Sequence, residues 1–224
     1  MPSPYDASVR ALVVVVLLAF LWTAAALGGR GDPQKRITPA DQARARAMLL
    51  RTSDFPTGVR ATRQSSGALS FECAALDLSG LTLTGEADSP NFSTGFVNAT
   101  SASDVYMTLV DANASWRRST SSAGVACVRA TLRAELEAIG VQLDSLRRLA
   151  FPRVSDRTVA YRIVATAHPQ GVSVRVFVDL VALQRSRAQV SVLLTSGLVP
   201  PVRADELRYA RTLATRAKTA MRGA

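Results

Sequence analysis

Three stretches near the C-terminus decide the fold: VAYRIVA (159–165), VSVRVFVDL (172–180) and VSVLL (190–194). In the first, Val159, Tyr161, Ile163 and Ala165 alternate with the residues between them. The same period runs through Val172, Val174, Val176, Val178 and Leu180, and again through Val190, Val192 and Leu194. A period of two marks a strand, because successive side chains leave a pleated backbone on opposite faces. The intervening HPQG (168–171) and QRSR (184–187) read as turns, so the three strands form an antiparallel meander. Phe177, Val181, Leu183 and Leu193 fall on the other face, which predicts a sheet covered in part on both sides.

Outward from the meander the period changes. Pro200-Pro201 resets the chain, and Leu207, Ala210, Ala214, Ala217 and Met221 predict the apolar stripe of a last helix. Upstream, Val125, Val128, Leu132, Leu136 and Ile139 line one face of a helix over 123–139. Thr38-Pro39-Ala40-Asp41 is a helix start: a hydroxyl cap, proline at the first helical position and an acid three residues after the cap. That helix is expected to reach about Leu50 or Thr52 with Ala40, Ala43, Ala47 and Leu50 on one face, before SDFPTG (53–58) breaks it. Strands are expected near 81–86 and 92–99, and over 103–111 with Val105, Met107 and Leu109 on one side. The expected fold is therefore α+β: an antiparallel sheet ending in a three-strand meander, packed by helices and closed by one disulfide.

The chain has 224 residues and a net charge of +10, with Lys35 and Lys218 its only lysines. The arginines are dispersed, which reads as composition and solubility charge, with attraction to polyanions as the alternative. Residues 11–27 (ALVVVVLLAFLWTAAAL) are apolar and uncharged, within the tolerated range for a membrane span and slightly longer than a typical signal-peptide core. Residues 1–29 are thus a signal peptide, cut after about Ala26, or a retained membrane anchor. Residues 30–37 are a linker and 38–224 an extracytoplasmic domain. Arg30, Lys35 and Arg36 after the apolar stretch oppose simple export by the positive-inside rule; the cysteine usage favours it.

Two cysteines in an exported chain most simply form one bridge, Cys73 to Cys127, with two buried free thiols as the alternative. His168 is the only histidine and sits in a turn, and there is no G-x-S-x-G elbow for a serine nucleophile. With both cysteines bridged no zinc ligand set remains. Neither a phosphate loop nor a dinucleotide fingerprint is present, so no cofactor is expected. Glu86 and Asp88 share one face of a predicted strand; the plain reading is a pair of exposed acids, and the functional one a carboxylate pair for acid–base work. Asp179 interrupts an apolar strand with Arg175 on the same face; the plain reading is an ion pair, and the functional one a weak ligand-binding candidate.

Three segments carry a resemblance. SDFPTG (53–58) is similar to a D-L-P-x-G-W motif, with Val59 in place of the Trp; TGEADSPNF (84–92) resembles T-G-x-A-x-S-P-x-F; and VDLVALQRSR (178–187) resembles V-D-x-V-x-L-x-x-G-R, with Ser186 in place of Gly. These motifs are those of exported actinobacterial domains that resemble the extracellular sensor domain of PknH-type mycobacterial serine/threonine kinases. The likeness spans about residues 40–220. It implies an α+β domain with an antiparallel sheet, a disulfide and a ligand cleft, and it carries no catalytic residues. The expected function is a non-enzymatic cell-envelope binding or sensor-like module, with an unknown small ligand or cell-wall component as partner and no nucleic acid. It would be extracytoplasmic, secreted or held at the cytoplasmic membrane through residues 11–27 if these are uncleaved. A secreted carboxylate-dependent hydrolase and a polyanion-binding surface protein are the alternatives.

Overall fold

The computed structural model describes residues 31–63, 73–95 and 97–223; the targeting reading of residues 1–29 lies outside them. The described chain forms nine strands and four α-helices. The strands are β1 (Gln34–Lys35), β2 (Arg60–Thr62), β3 (Thr82–Asp88), β4 (Asn91–Thr94), β5 (Val97–Tyr106), β6 (Val141–Leu149), β7 (Arg157–Ala167), β8 (Val174–Arg185) and β9 (Ala188–Gly197). The helices are α1 (Pro39–Met48), α2 (Leu109–Thr120), α3 (Ser122–Ala138) and α4 (Arg203–Ala220).

The strands make one sheet in the order β1-β3-β5-β9-β8-β7-β6. All neighbours are antiparallel except β1, which runs parallel to β3. β4 continues the line of β3 along β5 and pairs on its other side with β2. The expected meander is β7-β8-β9. Its first turn is a short 3-10 segment at Pro169–Gly171, and its second is a two-residue hairpin in which Ser186 takes the left-handed φ of 52°. The register sets Leu193 opposite Leu180, so Val190, Val192 and Leu194 face the opposite layer from Val176, Val178 and Leu180.

Each face has its own cover. α1 and α4 pack on one, where Met48, Phe92, Val105, Val181, Leu183, Val192, Leu194 and Leu213 form a buried cluster. On the other face α3 presses Val128, Leu132 and Leu136 against Leu146, Ile163, Val178 and Leu180. Burying one such leucine contributes about 1.5–3 kcal/mol. The two faces are thus both covered, as the doubly apolar strands predict.

Several local expectations are corrected. The buried side of α1 is Asp41, Ala45 and Met48, with Ala40 and Ala43 exposed, because Asp41 is drawn inward by charge. Strand β5 stops at Tyr106; Thr108 caps a helix there by accepting from the Asp111 N–H at 3.0 Å, so Met107 and Leu109 stand exposed. Ile139, beyond the end of α3, is half exposed at 50%. The stripe of α4 is rotated onto Glu206, Tyr209, Ala210, Leu213 and Ala217, leaving Leu207 and Ala214 partly buried. Strand β6 and helix α2 have no counterpart in the sequence expectations. A register shift between Leu143 and Ser145 breaks the alternation of β6.

The charge that draws Asp41 inward is Arg187, from the β8–β9 hairpin. Its two terminal nitrogens donate to Asp41 Oδ2 at 2.8 Å and Oδ1 at 2.7 Å, and the Thr84 hydroxyl donates to Oδ2 at 2.6 Å. Arg187, above all, holds the Asp41 carboxyl well below the usual carboxylate range. Below this clamp α1 lies directly on β3. A Cβ on Gly85 would sit 2.3 Å from the Asp41 carbonyl oxygen.

Candidate functional site

The site is built on the edge half of the sheet. Glu86 and Asp88 lie two positions apart on β3 and so leave the sheet on one face. β5 sets Asp104 directly opposite Glu86, and Ala102 opposite Asp88. Directly opposed residues in an antiparallel pair have Cβ atoms about 4.5–5.5 Å apart, so three carboxyl groups crowd one small area. Helix α2 crosses above and brings Trp116, Ser119 and Thr120 over them, while Tyr161, Leu180, Gln189 and Ser191 extend the floor. The partly open cavity measures about 120 Å³. Tyr106, Ser115 and Gln189 fasten the helix to the floor: Tyr106 Oη and Ser115 Oγ are 2.7 Å apart, and Gln189 Nε2 donates to the Ala112 carbonyl at 2.8 Å.

The three acids are in different electrostatic states. Lys35 Nζ, from β1, donates to Glu86 Oε1 at 2.7 Å. Glu86 Oε2 is buried and has no hydrogen-bond partner among the described residues. Desolvation first, then the charges of Glu86 and Asp88, push the Asp104 carboxyl up to about 7. Asp88, at the open rim, is raised to about 6 by partial desolvation and by Glu86, against the pull of Lys35. The cavity therefore gains negative charge as pH rises through the neutral range and offers strong acceptors to a cation. Among the described residues no group of three or more His, Cys, Asp or Glu is arranged to hold a metal ion.

Trp116, Thr120 and Val159 also belong to a second, more open groove of about 460 Å³, whose other walls include Arg148, Arg153 and Arg157. Its one carboxylate, Asp156, is turned to the β8–β9 hairpin, where it takes Arg185 and accepts from the Ser186 N–H at 3.1 Å. An acidic chamber and a basic groove thus meet at a shared tryptophan.

The structure places the Asp179 candidate elsewhere, on the face covered by α4. Asp179 is fully buried and paired with its cross-strand neighbour Arg162, which donates through Nε to Oδ1 at 2.7 Å and through Nη2 to Oδ2 at 2.5 Å. Glu206 of α4, also fully buried, lies 3.4 Å from Arg162 and 2.7 Å from Arg203. Burial first, then the hydrogen bond with Asp179, raises the Glu206 carboxyl well above its ordinary value. Arg175 is exposed near the start of β8. This cluster ties β7, β8 and α4 together through two fully buried acids. His168 is exposed, with Nδ1 3.1 Å from Ser173 Oγ.

The Glu86/Asp88 pair was readable as two acids one strand period apart. Asp104, Lys35 and Trp116 were not, because their convergence depends on the β3–β5 and β1–β3 pairing and on a helix without a clear apolar stripe. Other residues of the motif-like segments, Asp54, Gly58 and Ser89, are structural anchors. Asp54 receives both Arg216 nitrogens at 2.7 and 2.8 Å, Gly58 has a φ of 90°, and the Ser89 hydroxyl accepts from the Ser101 N–H at 2.8 Å.

Cys73 and Cys127 are bonded and join α3 to the segment leading into β3. Such a bond persists in an oxidising compartment, outside the cytoplasm. Among the described residues no helix is long and apolar enough to cross a membrane.

No protein-family model matches the chain, and no curated protein does. Among solved structures, the chain is similar to a Pseudomonas aeruginosa protein of unknown function, at 15% identity and a TM-score of 0.23, over 62% of this chain and 80% of that one. A superposition that loose carries no argument about fold or activity.

Proposed function

We propose that the chain is a non-enzymatic binding module of the cell envelope, and that the chamber beneath α2 receives the cationic group of a small ligand. The observation that carries this is the orphaned, buried Glu86 Oε2 in a chamber lined by two further carboxyl groups. A buried acceptor without a partner is costly, and an ammonium group supplies three donors and the opposite charge. Trp116 offers an aromatic wall at the chamber mouth, which suits a cation. The adjoining arginine groove suits an anionic group on the same ligand, so the favoured class is a small bipolar molecule bearing an amine and a carboxylate or phosphate. The likeness to an extracellular sensor domain and the disulfide both accord with a place outside the cytoplasm, anchored or secreted.

Calorimetry on the full chain tests this with simple probes: primary alkylamines, and ω-amino acids of matching chain length, at pH 5.5 and pH 8. The amines should bind more tightly at pH 8, where Asp104 is ionised. One length of ω-amino acid should exceed its parent amine as the carboxylate reaches the groove. Glu86→Gln and Asp104→Asn should each weaken amine binding by roughly tenfold or more, the loss expected for a charged hydrogen bond. Absence of binding to every probe at pH 8 overturns the reading.

One observation favours a second reading. Asp104, raised to about 7, stands directly opposite Glu86, and a carboxyl poised near neutrality beside a second one is equipment for acid–base hydrolysis. A turnover abolished by Asp104→Asn would establish the hydrolase in place of the binding module.

A further inference from the structure

The chamber leaves unexplained a set of apolar side chains at one end of the sheet. Val110 is 73% exposed, Leu109 52% and Met107 46%. They are consecutive around the Thr108 cap, so they form one projection at the start of α2. Farther along the helix Arg117 is exposed as well. It lies seven residues from Val110, two helical turns along the same side.

The chain enters the domain at this same end. The Leu78 N–H donates to the Gly31 carbonyl at 2.6 Å, Gln34 N–H to Leu81 at 2.8 Å, and Met107 N–H to Thr82 at 2.8 Å. Met107 is therefore two strand spacings from Gln34, roughly 10 Å. Between Leu27, the last residue of the uncharged apolar stretch, and Gly31 there are only four steps of chain. Fully extended, these reach about 14 Å. If residues 11–27 are held in a bilayer, this tether cannot lift the domain clear, and the end bearing Met107, Leu109 and Val110 is the one held against the surface.

We propose that this end is a membrane-contact face, seated on the leaflet in which residues 11–27 of the same chain are anchored. Met107, Leu109 and Val110 enter the headgroup boundary, and Arg117 and Arg36, both exposed, meet anionic headgroups. An apolar projection flanked by arginine is the pattern of interfacial helices, and each basic side chain adds to the attraction of an anionic leaflet. The opposite end of the sheet also exposes apolar residues, Val172, Leu198, Val199 and Val202. No tether enters there, so those residues serve as an internal control. The inference rests on retention of residues 11–27 and is independent of the chamber's ligand.

The test uses the full chain reconstituted in phosphatidylcholine vesicles with a quarter phosphatidylglycerol and a trace of phospholipid carrying a photoreactive acyl-chain group. Labelled peptides are mapped by mass spectrometry. Label on residues 11–27 and on 107–110, with none on 197–202, is the expected result. In the Leu109→Asp/Val110→Asp variant, label on 107–110 should fall about tenfold while label on 11–27 and the Cys73–Cys127 bond persist. The bond and an unchanged circular dichroism spectrum report an intact fold. Label confined to 11–27, label on 197–202, or label absent from 11–27 each overturns the proposal.

Discussion

At the scale of single residues, the molecule carries opposed titrations. Asp104 is raised to about 7 from a value of 3.8 in an unfolded chain. Between those values the folded state holds a proton that the unfolded state has released, so stability declines as pH rises from about 4 to about 7. Asp88, raised to about 6, and Glu206, raised by burial, act in the same direction. Asp41 acts oppositely: Arg187 lowers it, so its contribution is present above about 4 and is lost as pH falls further. Asp104→Asn should therefore flatten the upper part of the profile and raise stability at pH 8, on the order of 2 kcal/mol. Urea unfolding at pH 5 and pH 8 measures it; an unchanged difference between the two pH values would remove Asp104 as the source. If Asp104 is the cavity's acid, the same change that stabilises the fold weakens cation binding, a trade typical of binding sites.

At the scale of elements, the contact between α1 and β3 depends on one missing methyl. Gly85→Ala would place a Cβ 2.3 Å from backbone, where no side-chain movement relieves it. A loss of about 1–3 kcal/mol is expected. Gly80→Ala, where nothing lies within 4 Å, is the control and should be near neutral. Equal denaturation midpoints for the two variants would show that α1 can shift freely. The same scale shows what the sequence could disclose. The meander was legible because Val and Ile repeat every second residue over three runs. α1 was legible because Thr38, Pro39 and Asp41 spell a cap, yet its buried side was not, since an aspartate reads as outward until Arg187 supplies its partner. β6 was hidden by its bulge, and α2 by starting directly after a strand with exposed Leu109 and Val110. Of the site, only the two acids on one strand could be read. The third needed the register of a distant strand.

At the scale of the whole molecule, the disulfide closes a loop of 54 residues that contains β3, β4, β5, α2 and the start of α3. Restricting that loop in the unfolded chain is worth about 4 kcal/mol. Reduction, or Cys127→Ser, should lower unfolding free energy by that order and shift the urea midpoint; an unshifted midpoint would mean that the bridge adds nothing to packing already complete. The loop joins the meander through β5, which pairs Val97 with Ser196 and Val105 with Ala188 on β9. The early strands therefore stay without their central neighbour until the C-terminal meander has been made. Loop-closure entropy must be met before such distant pairing is rewarded, so slow refolding is expected, a rate that stopped-flow dilution from urea measures. A sheet ordered this way is complete only when the last third of the chain is present, and a chain cut before β9 would leave β5 as an open edge.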